Sequence, residues 1–498
     1  MFNILYKKRI MRKYFFIWLF CAFSLANCIE VENKNFVQES SHVLLLSDQT
    51  ISYTAQIGTL TIGGEDKNPK AHLSYISYTK NAIDDPSRPI AFCFNGGPGS
   101  SSIWLHLGAL GPKRIVFEDW LAKTPRYALE QNPHSLLDHM DLVFMDPVSS
   151  GFSSCAEGEN PKSFYSYEGD VKAMSEFIRL YVTRFNRWGS PKILIGESYG
   201  AVRAIGMSEE LTSRHGMELD GLVLISPVID YQTISGLGDG NDLPSLLYLP
   251  SYTAAAWYHQ KLSSSLLMRP LQDVLKEAET FALTDYAQAL LLGDGLDEKN
   301  KTNIAEKMAF YTGLSCDYIL LNRLRVAPHQ FRKELFRKNY RSIGRFDSRL
   351  TGIEREPYYS NCESDPCEKI ISGIFTSTLN QYFFQELNWK NDTKYEVLAN
   401  VRPWEYSGAS NRYLNLSSTL ARMISQNRNL KVLIVSGRYD LAIPYFSIQY
   451  VVNHLGLDLA LKNNIQTQLY DSGHMIYLET TELIKLNEQI KKIFAKRE

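Results

Sequence analysis

The 498-residue sequence has no surplus of either charge, since 53 basic side chains stand against 54 acidic ones. Without a basic stripe along the chain, that balance excludes a nucleic-acid binder. No stretch is polar or biased enough for disorder, and neither an internal repeat nor a low-complexity linker occurs. Cysteine is scarce at seven residues, and no CxxC pair or histidine cluster accompanies them, so no metal and no cofactor are implied. Cys362 and Cys367 lie close together among the turn residues Asn361, Ser364, Asp365 and Pro366, which predicts a local disulfide in an exported protein. Long apolar runs are missing as well. The stretch Tyr14 to Leu25 falls well short of the ~20 residues a spanning helix needs, so no integral membrane span is expected.

That same stretch follows Lys7, Lys8, Arg9, Arg12 and Lys13 and ends in the small residues Ser24 and Ala26. A charged start, a short apolar centre and a small-x-small exit predict a signal peptide over residues 1–26 and an exported protein, whether periplasmic, secreted or lumenal. Aromatics are plentiful, with 29 tyrosines and 24 phenylalanines, and serve cores and ligand pockets alike. The length suits a large core carrying an insertion, or two domains.

Short, nearly all-apolar runs alternate with helical patterns, as in a mostly parallel sheet covered by helices. The strand candidates are Pro89 to Phe94, Asp141 to Met145, Lys192 to Ile195, Leu222 to Ile225, Lys431 to Val435 and Gln466 to Tyr470. Apolar residues at helical spacing mark helices from Val171 to Phe185 and from Leu483 to Phe494. After about Tyr231 the strand pattern stops, and Tyr252 to Leu262, Leu271 to Leu291 and Asn303 to Tyr311 read as helices. The predicted organisation is an α/β core over residues 42–230 and 407–498, interrupted by a helical cap over 231–406.

Gly196-Glu197-Ser198-Tyr199-Gly200 follows one strand candidate directly and leads into a helix-compatible stretch. A turn tight enough to lift a serine hydroxyl above a sheet needs small flanking residues, so Ser198 is the candidate nucleophile. The five-residue motif is weak alone, but Asn95-Gly96-Gly97-Pro98-Gly99 follows an earlier strand candidate. Bare backbone there can approach a substrate oxygen, which makes the amides of Gly97 and Tyr199 the candidate oxyanion hole. Asp440 follows the Lys431 strand and His474 follows the Gln466 strand, in the chain order Ser, Asp, His of α/β-hydrolases. His474 is thus the candidate base, and Asp440 the group that fixes its tautomer. His454 and Asp471 are the rivals for those two roles.

At this point the chain resembles the serine carboxypeptidase family. NGGPGSSS is similar to that family's NGGPGCSS loop, GESYG to its GESYAG elbow, SGHMIY to its AGHMVP histidine loop, and SGRYDLAIP to the loop that carries its acid. DPVSSGFS resembles its P-x-G-x-G-F-S segment, with Ser149 at the first glycine. The resemblance implies release of C-terminal residues from peptides, best at acidic pH. It also implies that Asn95 and Glu197 bind the free C-terminus, Glu197 only while protonated, because two carboxylates repel at hydrogen-bond distance. Three departures stand out. Ala109 occupies the place of a second glutamate, Ser100 replaces a loop cysteine, and Ile443 stands where some members place another cysteine. Ala109 keeps an esterase or acyltransferase open as the alternative activity. A catalytically silent homologue that binds partners is a third possibility, and the oligomeric state is left open.

Overall fold

In the computed structural model, residues 37–494 are described, apart from 47–48, 64–67, 82–84, 86, 238–239 and 407–411. The signal-peptide expectation lies outside the described residues. The six apolar runs become strands of a single sheet that three further strands extend at one edge: β1 (Val37–Leu45), β2 (Thr50–Gly63) and β3 (Pro69–Lys80) are the additions, and the runs form β4 (Ile90–Phe94), β5 (Asp141–Met145), β6 (Lys192–Glu197), β7 (Gly221–Ile225), β8 (Lys431–Gly437) and β9 (Ile465–Tyr470). Their order is β1-β2-β3-β5-β4-β6-β7-β8-β9, and the two-residue strand Ser154–Cys155 pairs with β3. Pairing is antiparallel from β1 through β3 to β5 and parallel across the rest.

Because side chains alternate across a strand, each central strand feeds two cores. Ala91 and Cys93 face one apolar cluster, while Ile90, Phe92 and Phe94 face the other; Leu433 with Val435 and Val432 with Ile434 repeat the division on β8. One face is covered by helices Tyr167–Arg184 and Tyr199–His215, the other by Pro366–Gln385 and Thr480–Phe494. Each large apolar side chain buried in this way contributes roughly 1.5–3 kcal/mol.

Helices Leu243–Tyr258, Leu271–Phe281 and Glu298–Thr312 form a third apolar cluster beyond the sheet. The first begins earlier than the expected Tyr252 because Pro244 sits in its first turn, and it stops before Gln260, whose φ is 54°. The hairpin Arg341–Ile343/Thr351–Ile353 lies beside this cluster, with Ile343 inside it. Helix Pro366–Gln385 instead joins the sheet, sending Ile371, Phe375 and Leu379 into the first core. The expected Cys362–Cys367 disulfide is absent, since both residues are free thiols. Cys367 opens that helix and is buried in the core, whereas Cys362 stays in the preceding loop near the His329 carbonyl, 3.9 Å away.

Candidate active site

Ser198 occupies the single step between β6 and helix Tyr199–His215, with φ 60° and ψ −121°. A non-glycine residue held there costs on the order of 1–3 kcal/mol and persists only where its surroundings dictate it. Here they do. The Ser198 amide donates to the Ile225 carbonyl at 2.9 Å. A Cβ at Gly196 would come within 2.3 Å of the Gly200 carbonyl oxygen, and one at Gly200 within 2.8 Å of that of Phe94. The glycine-rich loop presses against the same turn: a Cβ at Gly96 would sit 2.5 Å from the Tyr199 nitrogen. Gly97, with φ 104°, lines a cavity of about 420 Å³ together with Ser198 and Tyr199. Asp146 anchors the loop from below, accepting from the Ser102 amide at 2.8 Å and the Tyr395 hydroxyl at 3.1 Å.

Two loops leaving the C-terminal ends of β8 and β9 bring Asp440 and His474 together. His474 Nδ1 lies 2.6 Å from Asp440 Oδ2, and both residues are buried. The other carboxylate oxygen accepts from the amides of Ala442 at 2.6 Å and Ile443 at 3.0 Å, so the acid cannot turn away. Such a bond holds the proton on Nδ1 and leaves Nε2 as the basic nitrogen. Burial alone would push His474 down, but the charge and hydrogen bond of Asp440, with Glu197 nearby, carry it above its ordinary value. Ser226 joins this pair to the elbow, because its hydroxyl donates to the His474 carbonyl at 2.6 Å and it directly follows Ile225, the acceptor of the Ser198 amide.

Glu197 and Asn95 also meet. Asn95 Nδ2 donates to Glu197 Oε2, and Asn95 Oδ1 accepts from the Leu105 amide at 3.1 Å. The backbone carbonyl of Asn95 accepts from the fully buried Arg203, which pairs with Asp170 at 2.7 Å. Burial pushes the Glu197 carboxyl up to about 7, against the opposing charge of His474 and the hydrogen bond from Tyr477. Sequence reasoning missed that tyrosine, whose hydroxyl donates to Glu197 Oε2 at 3.0 Å. The signal was present, since SGHMIY ends in tyrosine where AGHMVP ends in proline. Tyr477 fills space beside Ala109: a Cβ at neighbouring Gly108 would lie 2.6 Å from its ring. The rivals fall elsewhere. His454 is exposed and bonds the Tyr450 carbonyl at 2.7 Å, while exposed Asp471 pairs with Arg438 at 2.7 Å.

A sheet of this order, with a strained serine after its sixth strand and an Asp–His pair on loops after its eighth and ninth, is that of an α/β-hydrolase. A solved structure agrees on the fold: a prohormone-processing carboxypeptidase from Saccharomyces cerevisiae superposes with a TM-score of 0.54 over 94% of each chain, at 16% identity. The chain belongs to the serine carboxypeptidase family, whose sequence model matches residues 48–486. It is 24% identical to serine carboxypeptidase-like 36 of Arabidopsis thaliana over 78% of this chain and 69% of that protein. It is 28% identical to carboxypeptidase Y of Schizosaccharomyces pombe over 34% of this chain and 16% of that one.

Proposed function

We propose that this protein is a serine carboxypeptidase that releases the last residue of a peptide through an acyl-enzyme on Ser198. The observation that carries this is Glu197 Oε1, which is buried beside the nucleophile with no hydrogen-bond partner among the described residues, while Oε2 is held by Asn95 and Tyr477. A buried oxygen left unmatched costs free energy unless a ligand satisfies it. A protonated Glu197 can donate from there to the carboxylate of a substrate C-terminus.

In the reaction that follows, His474 Nε2 takes the proton of Ser198 as its Oγ adds to the scissile carbonyl. The amides of Tyr199 and Gly97 receive the developing oxyanion. His474 then gives the proton to the departing amine, and water reverses the sequence to release the shortened peptide. Family membership, the fold and the Asp440–His474 bond support these roles. The same reading makes residues 231–406 the insertion that shapes the pocket, between core segments 42–230 and 407–498, and makes residues 1–26 an export signal. Among the described residues no helix is long and apolar enough to cross a membrane. With Ala109 in place of a second carboxylate, esterase or acyltransferase activity is the competing reading.

The test is a blocked dipeptide assayed against its C-terminal amide. The acid should be turned over much faster, and equal rates would defeat carboxylate recognition. Ser198→Ala should lower kcat by a factor of ~10⁴ or more and abolish labelling by a fluorophosphonate.

A further inference from the structure

The cavity holding Ser198 has a charge character that the reaction itself does not require. Its wall includes His329, Arg332 and Arg345 and, among the described residues, no aspartate or glutamate. Arg332 is already engaged, pairing with Asp365 at 3.2 Å and donating to the Ile343 carbonyl at 3.0 Å. Arg345 is not. Its backbone amide donates to Asp365, but its guanidinium only lies over the Phe346 ring, 5.2 Å from the centroid, and meets no carboxylate among the described residues. The Phe346 ring in turn lies 5.2 Å from that of His474. An exposed cation without a carboxylate partner among the described residues therefore stands at the edge of the cavity that holds Ser198.

Its position fixes which part of a substrate it would meet. Asn95 and Glu197 do not line this cavity, whereas Gly97, Ser198 and Tyr199 do. With the leaving residue's carboxylate held by Asn95 and Glu197, the cavity is left for the side chain on the acyl side of the scissile bond. We propose that Arg345 makes this cavity a subsite for an acidic side chain, aspartate or glutamate, at the penultimate position of the peptide. A guanidinium presents a planar fork that matches a carboxylate with two parallel hydrogen bonds, and a cavity free of competing acids leaves that fork available. This inference rests on the carboxypeptidase reading and names its substrate class.

The experiment compares kcat/KM for blocked dipeptide acids with Glu, Gln, Leu or Lys in the penultimate position and Leu at the C-terminus. It is run at about pH 5.5, where a glutamate side chain is ionised. Glu should exceed Gln by about tenfold in the wild type, as expected of a partly desolvated ion pair. That ratio should fall to near one in Arg345→Gln and below one in Arg345→Glu. Because each ratio is taken within one enzyme, a general loss of folding or turnover cancels. Cleavage of all four acids with Glu no better than Gln, or an unchanged ratio in Arg345→Gln, would overturn the Arg345 assignment alone. Turnover of small esters but of no peptide acid would overturn the carboxypeptidase reading, and this assignment with it.

Discussion

With Glu197 as the proposed binder of the substrate carboxylate, its raised pKa ties pH to both turnover and stability. Its carboxyl is raised from 4.5 to about 7, so it holds its proton in mildly acid solution and loses it near neutrality. Turnover of peptide acids should therefore fall as pH rises through about 7, and in Glu197→Gln that decline should disappear from the kcat/KM profile. Tyr477 donates to the ionised form as well as the neutral one, and its bond to Glu197 favours the charge. Tyr477→Phe should consequently move the alkaline limb upward, a displacement that simple loss of packing would not produce. Stability follows the same group with a definite sign. A carboxyl whose folded value is raised supports the fold below its unfolded value of 4.5 and loses that support as pH climbs to about 7. The loss is on the order of 3 kcal/mol at ~1.4 kcal/mol per unit. Urea titrations should find Glu197→Gln more stable than the wild type in mildly alkaline solution and little different in acid near the unfolded value.

Among the elements, the elbow and the glycine-rich loop are packed backbone against backbone. A methyl group at Gly96 must displace the Tyr199 amide or the loop itself. With the Tyr199 amide as the proposed oxyanion donor, Gly96→Ala should lower kcat on the order of 10²–10³-fold, the cost of losing one such donor, with KM for a peptide acid far less affected; a raised KM with kcat unchanged would place the damage in binding instead. These elements were legible in the sequence because buried central strands are nearly all apolar, and because the chemistry sits on the loops immediately after them. β1 to β3 were not anticipated: buried residues in β1 and β2 alternate with more exposed ones, and in β3 the polar Ser74 and Ser77 interrupt the buried run, so all three read more weakly than an unbroken apolar run. Helix Pro366–Gln385 escaped although Cys367, Ile371, Phe375, Leu379 and Phe383 recur at helical spacing on its buried face, because Ile370, Ile374 and the exposed Phe384 beside them blur that stripe in the sequence. Arg345 reaches the site only through tertiary contacts, which no local pattern encodes, whereas Tyr477 was legible as a tyrosine in place of proline three residues after His474. Ser149 shows the converse, a position where the family carries glycine and this chain holds serine at φ 74°, its hydroxyl 2.9 Å from that of Tyr165.

Across the whole molecule, one loop over residues 344–350 stitches together the loops that carry Asp440 and His474. The Phe346 carbonyl accepts the His474 amide at 2.6 Å, the Arg345 carbonyl accepts the Leu441 amide at 2.9 Å, and the Ser348 amide donates to the Tyr439 carbonyl at 2.9 Å. The approach is so close that a Cβ at Gly473 would lie 2.4 Å from the Phe346 oxygen, which accounts for the glycine before the histidine. Arg349 locks this arrangement, pairing with Asp347 at 2.6 Å and with Glu479 at 3.0 Å while lying over the Tyr439 ring. Removing one partner from a buried pair leaves the other charge unmatched and typically costs about 3–5 kcal/mol. Arg349→Ala should therefore destabilise the protein by that order in urea unfolding. If the loop also positions the imidazole, fluorophosphonate labelling of Ser198 should slow about tenfold or more under conditions where the variant remains folded. A destabilised variant that labels at the wild-type rate would show that the loop braces the fold without orienting His474.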